Sequence, residues 1–380
     1  MLKETSTHKP GKHSNKEVKA LKQGLDFRDA KYRREVFLNF YEFHLKYKSH
    51  PGAVYYMMPY ISQQLNFTQE DKLWFAYING CTQNILTTYV IYQNFPDLYN
   101  IDFEKLNDWF NYNWENLAWD MDRRYAKAKF ITCVEDYLKH LDGKTQVEFF
   151  NSLGNSKDKF KNFKSTWDYV INKFYLFGRL STFSYLEYLR IMGVNLDCDE
   201  LFLYDMDGSK SHRNGLCKVL GRDDLDWHDK LNPEFEGYTS EIIDWLIKEG
   251  ETLLNESKQR FKDKPYIQDV SYFTLESTLC CYKSWFRKNR RYANVYNDMF
   301  YNRIKFAESK WKGEYDFSIF WDGRKKYLPQ NLRLEDNPTD PGLTPEKQNH
   351  FRNTGEVIMM DKDFPHFKNS FTRNNLEDFL

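Results

Sequence analysis

The sequence contains no C-x-x-C pair and no matching H-x-x-x-H, although it holds six cysteines. Six thiols spread over 380 residues do not make a disulfide scaffold or a zinc module. Cys81, Cys133, Cys198, Cys217, Cys280 and Cys281 are expected to be reduced and mostly buried. Net charge is also missing: Lys+Arg and Asp+Glu both number 55. That excludes a protein that coats nucleic acid by bulk positive charge, and leaves room for one local basic channel. No apolar run approaches the roughly 18 residues of a membrane span, and the N-terminus has no signal-peptide core. The chain is therefore expected to work in the cytoplasm, away from membranes. There is no internal repeat and no low-complexity tract. Alternating strand patterns are scarce, with only Leu201–Tyr204 and Tyr315–Phe320 as short candidates.

What the sequence does have is rings. Aromatic residues make up 18% of the chain, enough to build a sizeable core, since each buried ring removes a large apolar area from water. Helical periodicity supplies the frame. It is clearest from Thr68 to Gln93, where Leu73, Trp74, Tyr77, Ile78, Cys81, Ile85, Leu86, Tyr89 and Val90 recur at three- and four-residue steps. Thr68 is the expected N-cap, with Glu70 and Asp71 in the first turn. Asn79 and Asn84 are the polar candidates on its other faces. Further helices are expected at 101–116, 122–142, 143–153 and 160–178, the last stopped by Gly178. Others follow at 182–192, 211–220, 238–257, 268–287 and 293–310. The pattern predicts an all-α globular body over 25–325, with a lobe boundary near 155–160. A basic tail (1–24) precedes it and an extended segment (326–380) follows.

Two stretches concentrate chemistry. The first is DCDELFLYDMDGSKSHRNGLCKVLGRDD, where Ser209, Ser211, His212, Arg213 and Asn214 lie at the start of an amphipathic helix. Free N–H groups of a first helical turn, joined by His212 and Arg213, would suit phosphate or pyrophosphate. A solvated helix cap is the plainer alternative. LFLYDMDGS also resembles the nucleophile motif of haloacid-dehalogenase-type phosphatases, with Asp205 as nucleophile and Asp207 as acid/base. Three observations oppose that. The motif lies mid-chain without β/α alternation, polar KSHRNG follows it, and no later strand ends in an acidic pair. DMDG is not a calcium loop either, because Leu203 and Asn214 would occupy its first and twelfth positions, so no metal ligand set is read here.

The second stretch, YFTLESTLCCYKSWFRKNRRYANVYNDMFYNR, carries Glu276, Lys283 and Arg287 on one helical side. Five cations lie between Lys283 and Arg291. Interleaved Trp285, Phe286, Tyr292 and Tyr296 would suit phosphate contacts plus stacking on an exposed base. A charged, solvated helix end accounts for the same pattern.

Taken together, LWFAYINGCTQNILTTYVIYQNFP, FGRLSTFSYLEYLR with DCDELFLYDMDGSKSHRNGL, and FTLESTLCCYKSWF with RRYANVYNDM resemble the phage amino acid:DNA transferases. These are also described as α-glutamyl/putrescinyl-thymine pyrophosphorylase-like proteins, related to the helical domain of 5-hydroxymethyluracil DNA kinases. The resemblance covers most of 35–305. One departure is Ala293-Asn294, where the family pattern has Tyr-x-Gly-x-Tyr. The resemblance implies a fold like that of helical DNA glycosylases. It also implies a DNA substrate bearing pyrophosphorylated 5-hydroxymethyluracil, made by an upstream DNA kinase. A small amine, typically of an amino acid such as glycine, displaces pyrophosphate from the base's methylene carbon. The setting would be the cytoplasm of a phage-infected host. No cofactor is required, with Mg²⁺ as an optional aid to the pyrophosphate.

The matching motifs, together with the demands of the implied reaction for Arg287 and Tyr296, suggest a set of roles. Arg179, Ser181, Ser209, Arg213, Asn214 and Arg287 would bind pyrophosphate, DNA or the amino-acid carboxylate. His212 and Lys283 would stabilise the leaving group. Asp205 or Glu276 would be the base that keeps the amine neutral. Tyr185, Tyr292 or Tyr296 would stack on a base taken out of the duplex. The rival readings are a non-catalytic or glycosylase-like DNA-binding module, and the phosphatase acting through Asp205.

Overall fold

The computed structural model describes residues 30–225, 237–283 and 295–336, and among these no residue is in a strand. The expected all-α class therefore holds for the described residues. In chain order the helices begin with α1 (Ala30–Lys46), α2 (Val54–Gln64), α3 (Gln69–Thr82), α4 (Ile85–Asn94) and α5 (Phe103–Tyr112). Next come α6 (Phe130–Leu141), α7 (Gln146–Leu153), α8 (Lys159–Lys173) and α9 (Arg179–Ile191). The last five are α10 (Lys210–Val219), α11 (Ser240–Arg260), α12 (Tyr272–Tyr282), α13 (Val295–Trp311) and α14 (Ser318–Tyr327). Among the described residues no helix is long and apolar enough to cross a membrane.

Several boundaries differ from the sequence reading, each for a local reason. The long helix expected over 68–93 is two helices. It starts as expected: Thr68 and Asp71 form a reciprocal capping box, the Asp71 N–H donating to Thr68 Oγ1 (3.2 Å) and the Thr68 N–H to Asp71 Oδ2 (2.8 Å). It breaks at Gln83, which takes the left-handed conformation (φ 49°). Asn84 then caps α4, its Oδ1 accepting from the Thr87 N–H at 3.0 Å. An apolar periodicity that runs on through the break hides it from a period count. The expected helix 122–142 starts as a 3₁₀ stretch (Met121–Lys129) and becomes α-helical only at Phe130. Gly178 does not stop α8, which ends at Phe174; it is the N-cap of α9. Neither strand candidate forms. Residues 201–204 lie in a loop and turn, with Phe202 at φ 53°, and Ser318 opens α14.

The chain divides into two compact units. The first holds the described parts of Met1–Pro51, Glu200–Asn302 and Arg324–Leu380, and the second holds Gly52–Asp199 and Arg303–Gly323. The lobe boundary expected near 155–160 lies inside the second unit, where α7 packs on α8. The expected tail 1–24 lies outside the described residues, as does the expected C-terminal segment beyond Asp336.

In the first unit α1, α10 and α12 pack on one another. Phe37 meets the edge of Tyr282 (5.2 Å, 82°), and the Tyr282 hydroxyl donates to the Arg33 carbonyl. Behind them Asp223 accepts from Arg33 (2.9 Å) and Lys218 (2.7 Å), all three buried. Removing one member would leave a buried charge uncompensated, at about 3–5 kcal/mol. In the second unit α3 and α9 pack on each other, joined by α2, α4, α7 and α8. Tyr77 of α3 stacks on Tyr137 of α6 (3.8 Å, 8°), and Phe174, Phe177 and Tyr185 surround the pair. The aromatic surplus of the sequence is spent here.

Candidate active site

The polar stretch 205–214 and the Glu276 segment, far apart in sequence, come together in the first unit. The backbones of α10 and α12 approach so closely at Gly215 that a Cβ there would sit 2.2 Å from the Leu279 carbonyl oxygen. Only glycine permits that approach. One turn earlier on α10, His212 Nδ1 faces Glu276 Oε1 at 3.6 Å, and both side chains are buried. The other ring nitrogen, Nε2, lies 2.6 Å from the Leu201 carbonyl. A carbonyl only accepts, so Nε2 carries a proton and Nδ1 is left to the carboxylate. Such a pair can take up one further proton and share it.

Arg213 does not face outward as an anion contact. It is fully buried. Its guanidinium donates to the Met206 carbonyl (2.7 Å), to Ser209 Oγ (2.6 Å), and at 3.4 Å to the carbonyls of Leu203 and Asp205. The Tyr238 ring lies 4.5 Å from it. Arg213 therefore ties down the 203–209 loop, where the sequence reading expected a pyrophosphate contact. Ser209 is the N-cap of α10, but its hydroxyl donates back to the Asp205 carbonyl. Asn214 is buried, and its Oδ1 has no hydrogen-bond partner among the described residues. Asp205 stands on a turn, its carboxylate accepting from the Gly208 N–H (2.9 Å). The phosphatase reading needs that aspartate at the end of a sheet strand, and the described residues contain no strand. Lys283, at the end of α12, is half-buried. Arg287 and Tyr292 lie outside the described residues. Tyr296 is buried against His44 (6.2 Å).

Arg179, Ser181 and Tyr185 all belong to α9 of the second unit. Arg179 is half-buried over the Phe183 ring (5.0 Å). Ser181 is buried and donates to the Gly178 carbonyl. Tyr185, expected as a stacking surface, is a core residue with Tyr77 and Phe177 against its ring. Exposing a ring of that size would cost about 1.5–3 kcal/mol. Among the described residues no group of three or more His, Cys, Asp or Glu side chains gathers to hold a metal ion.

Known proteins supply the remaining observation. The sequence profile of the family described as amino acid:DNA transferase matches residues 53–292. The chain is also 33% identical over 295 residues to a protein named serinyltransferase from Salmonella phage ViI, covering 75% of this chain and 71% of that relative. The chain belongs to the amino acid:DNA transferase family. No solved structure matches this transferase. The matched span contains every site residue expected from the sequence except Tyr296.

The structure adds residues of this transferase that the sequence reading passed over. Arg123 is buried, and it donates to the carbonyls of Cys81 and Leu176 in two different segments. Gln83 is buried, yet neither end of its amide has a hydrogen-bond partner among the described residues. The sequence reading placed Arg123 in the helix expected over 122–142 and gave it no role. The usable signal was the DRRYAKAK run, whose charges break the apolar period over the 3₁₀ stretch that precedes the α-helix.

Proposed function

We propose that this transferase joins a small amino acid, serine or glycine, to pyrophosphorylated 5-hydroxymethyluracil in DNA and releases pyrophosphate. The amine nitrogen forms a bond to the methylene carbon of the base. The carbon–oxygen bond breaks, and its electron pair leaves with pyrophosphate. The nitrogen's surplus proton must go to a base. The observation that carries the reading is the buried His212–Glu276 pair, which lies inside the segment matched by the family profile. An imidazole nitrogen and a carboxylate so placed are the groups that can receive it. Lys283, the C-cap of the helix that carries Glu276, is the candidate cation for the leaving group. Serine enters because the phage relative carries that name. A pyrophosphate ester must be supplied by a kinase acting earlier on the DNA. On this reading the enzyme acts in the cytoplasm of an infected host and requires no cofactor, Mg²⁺ being an optional aid to the departing pyrophosphate.

The test is direct. The protein is incubated with pyrophosphorylated DNA and isotopically labelled serine or glycine, with and without EDTA, and digested nucleosides are weighed by mass spectrometry. The expected outcome is a nucleoside carrying the label, with pyrophosphate released in equal amount. Glu276→Gln is expected to lower the rate at least 100-fold. Unchanged nucleosides across a panel of small amines would leave a DNA-binding module. Phosphate release from simple phosphomonoesters, lost in Asp205→Asn, would return the phosphatase.

A further inference from the structure

Most of the left-handed residues among the described ones are polar or sit at helix ends, where that backbone is ordinary. Met121 (φ 52°) and Leu176 (φ 61°) are neither small nor polar, and 43% of each is exposed. A left-handed backbone costs free energy in any residue with a Cβ. Exposing a large aliphatic side chain gains nothing in return. Strain of this kind persists only where the surroundings over-determine it, and here they do. Two consecutive arginines each hold the carbonyl of one of these residues. Arg123 donates to Leu176 O, and Arg124 Nε donates to Met121 O at 2.8 Å. Leu176 is locked on both sides as well. The Tyr175 N–H donates to Asp136 (2.8 Å), and the Phe177 N–H to the Phe174 carbonyl (3.3 Å). The guanidinium of Arg123 lies over the Phe177 ring at 4.8 Å. The two loops are thus fixed side by side in the second unit, each presenting one aliphatic side chain.

The surroundings of these two residues are aromatic and basic. Tyr125, in the same 3₁₀ stretch, is 89% exposed. Arg124 and Lys129 are exposed, and Arg179 opens α9 three residues after Leu176. Beside its N-cap, Gly178, the space is open, so the first turn of α9 is accessible to a phosphate. Two nearby acids are occupied. Asp120 pairs with Arg303 and accepts from Asn84, and Asp136 pairs with His140. Lys127 spends its ammonium on the carbonyls of Trp114 and Leu117.

We propose that Met121 and Leu176 form a wedge that enters duplex DNA at the modified base and fills the gap left when that nucleotide swings out. Methionine and leucine are among the side chains that open base steps in this way. The flanking cations hold the phosphates on either side. The proposal rests on DNA being the substrate, and it assigns the duplex-opening step to residues outside the His212–Glu276 pair.

The test uses Met121→Gly/Leu176→Gly. Glycine accepts both left-handed backbones, so the thermal midpoint should hold while the side chains are lost. A duplex carries 2-aminopurine beside 5-hydroxymethyluracil, so that unstacking raises its emission. With the wild-type protein the emission is expected to rise on binding, and with the double variant that rise is lost. With pyrophosphorylated substrates, the ratio of transfer on duplex to transfer on single-stranded DNA should fall about tenfold in the variant. Leu176→Met should restore the rise that Leu176→Gly removes. An unchanged emission rise in the double variant overturns the wedge, as does a wild-type protein that never raises it. So does equal loss of transfer on both forms of DNA, or capture of this face by a protein partner that blocks duplex. If no transfer occurs on any DNA, the proposed reaction fails while the emission experiment still decides the wedge.

Discussion

His44 is fully buried, and burial pushes its imidazole down to about 3. Its Nδ1 donates to the Ser49 carbonyl at 3.0 Å, which opposes the shift only in part. His50, with its ring 5.5 Å away, is also held well below its usual value, by burial and then by His44 and Lys48. In the unfolded chain both imidazoles take up a proton near pH 6.5. In the folded protein they stay neutral far below that. The unfolded state therefore binds more protons through this window, and stability falls as the pH drops from about 6.5 towards about 3. Each histidine contributes a loss of about 1.4 kcal/mol per pH unit below its unfolded pKa. Urea unfolding of the wild type and His44→Phe at pH 7 and pH 5 checks this. The wild type should lose about 2 kcal/mol more than the variant between the two pH values. Equal losses would mean that His44 is already protonated when folded.

At the scale of elements, the break between α3 and α4 is the informative feature. Gln83 spends free energy twice: on a left-handed backbone, and on a buried amide without partners among the described residues. Each costs about 1–2 kcal/mol. Gln83→Gly should therefore raise the unfolding free energy by about 2 kcal/mol. If the amide serves only structure, transfer will be unchanged. If it meets the substrate, the variant will be more stable and slower, a separation that thermal melts and transfer rates together can read. The break also marks where sequence reasoning stops. Helix existence was legible because apolar residues return every third or fourth position, and Thr68 was legible as a cap because Asp71 follows at the right distance. Residues 79–90 keep the same apolar period through Gln83, so the interruption left no trace in it. The meeting of His212 with Glu276 was legible as two polar stretches that one reaction would need together. Arg213 was not, because an arginine in the first turn of a helix can point to solvent or back into its own loop. That choice was made by the carbonyls of residues 203–206, whose loop conformation no periodicity encodes.

At the scale of the whole molecule, a chain with 55 cations and 55 anions cannot hold DNA by its overall field. Affinity must come from a local set of cations. On the proposed wedge face these are Arg124, Lys129 and Arg179, a set of three. Each phosphate neutralised releases counterions, so three contacts give a slope of about −3 in log affinity against log salt. Proteins with 6–10 phosphate contacts show much steeper slopes. Residues Met1–Lys22 carry six lysines against two glutamates and would steepen the slope if they also lay along the duplex. Binding isotherms between about 50 and 200 mM salt separate the two sources. The protein without residues 1–24 is expected to keep a slope near −3, and Arg124→Ala should lower it by about one. A slope that collapses towards zero on removing the tail would place the affinity there. The wedge would then have to act on DNA held by another part of the chain.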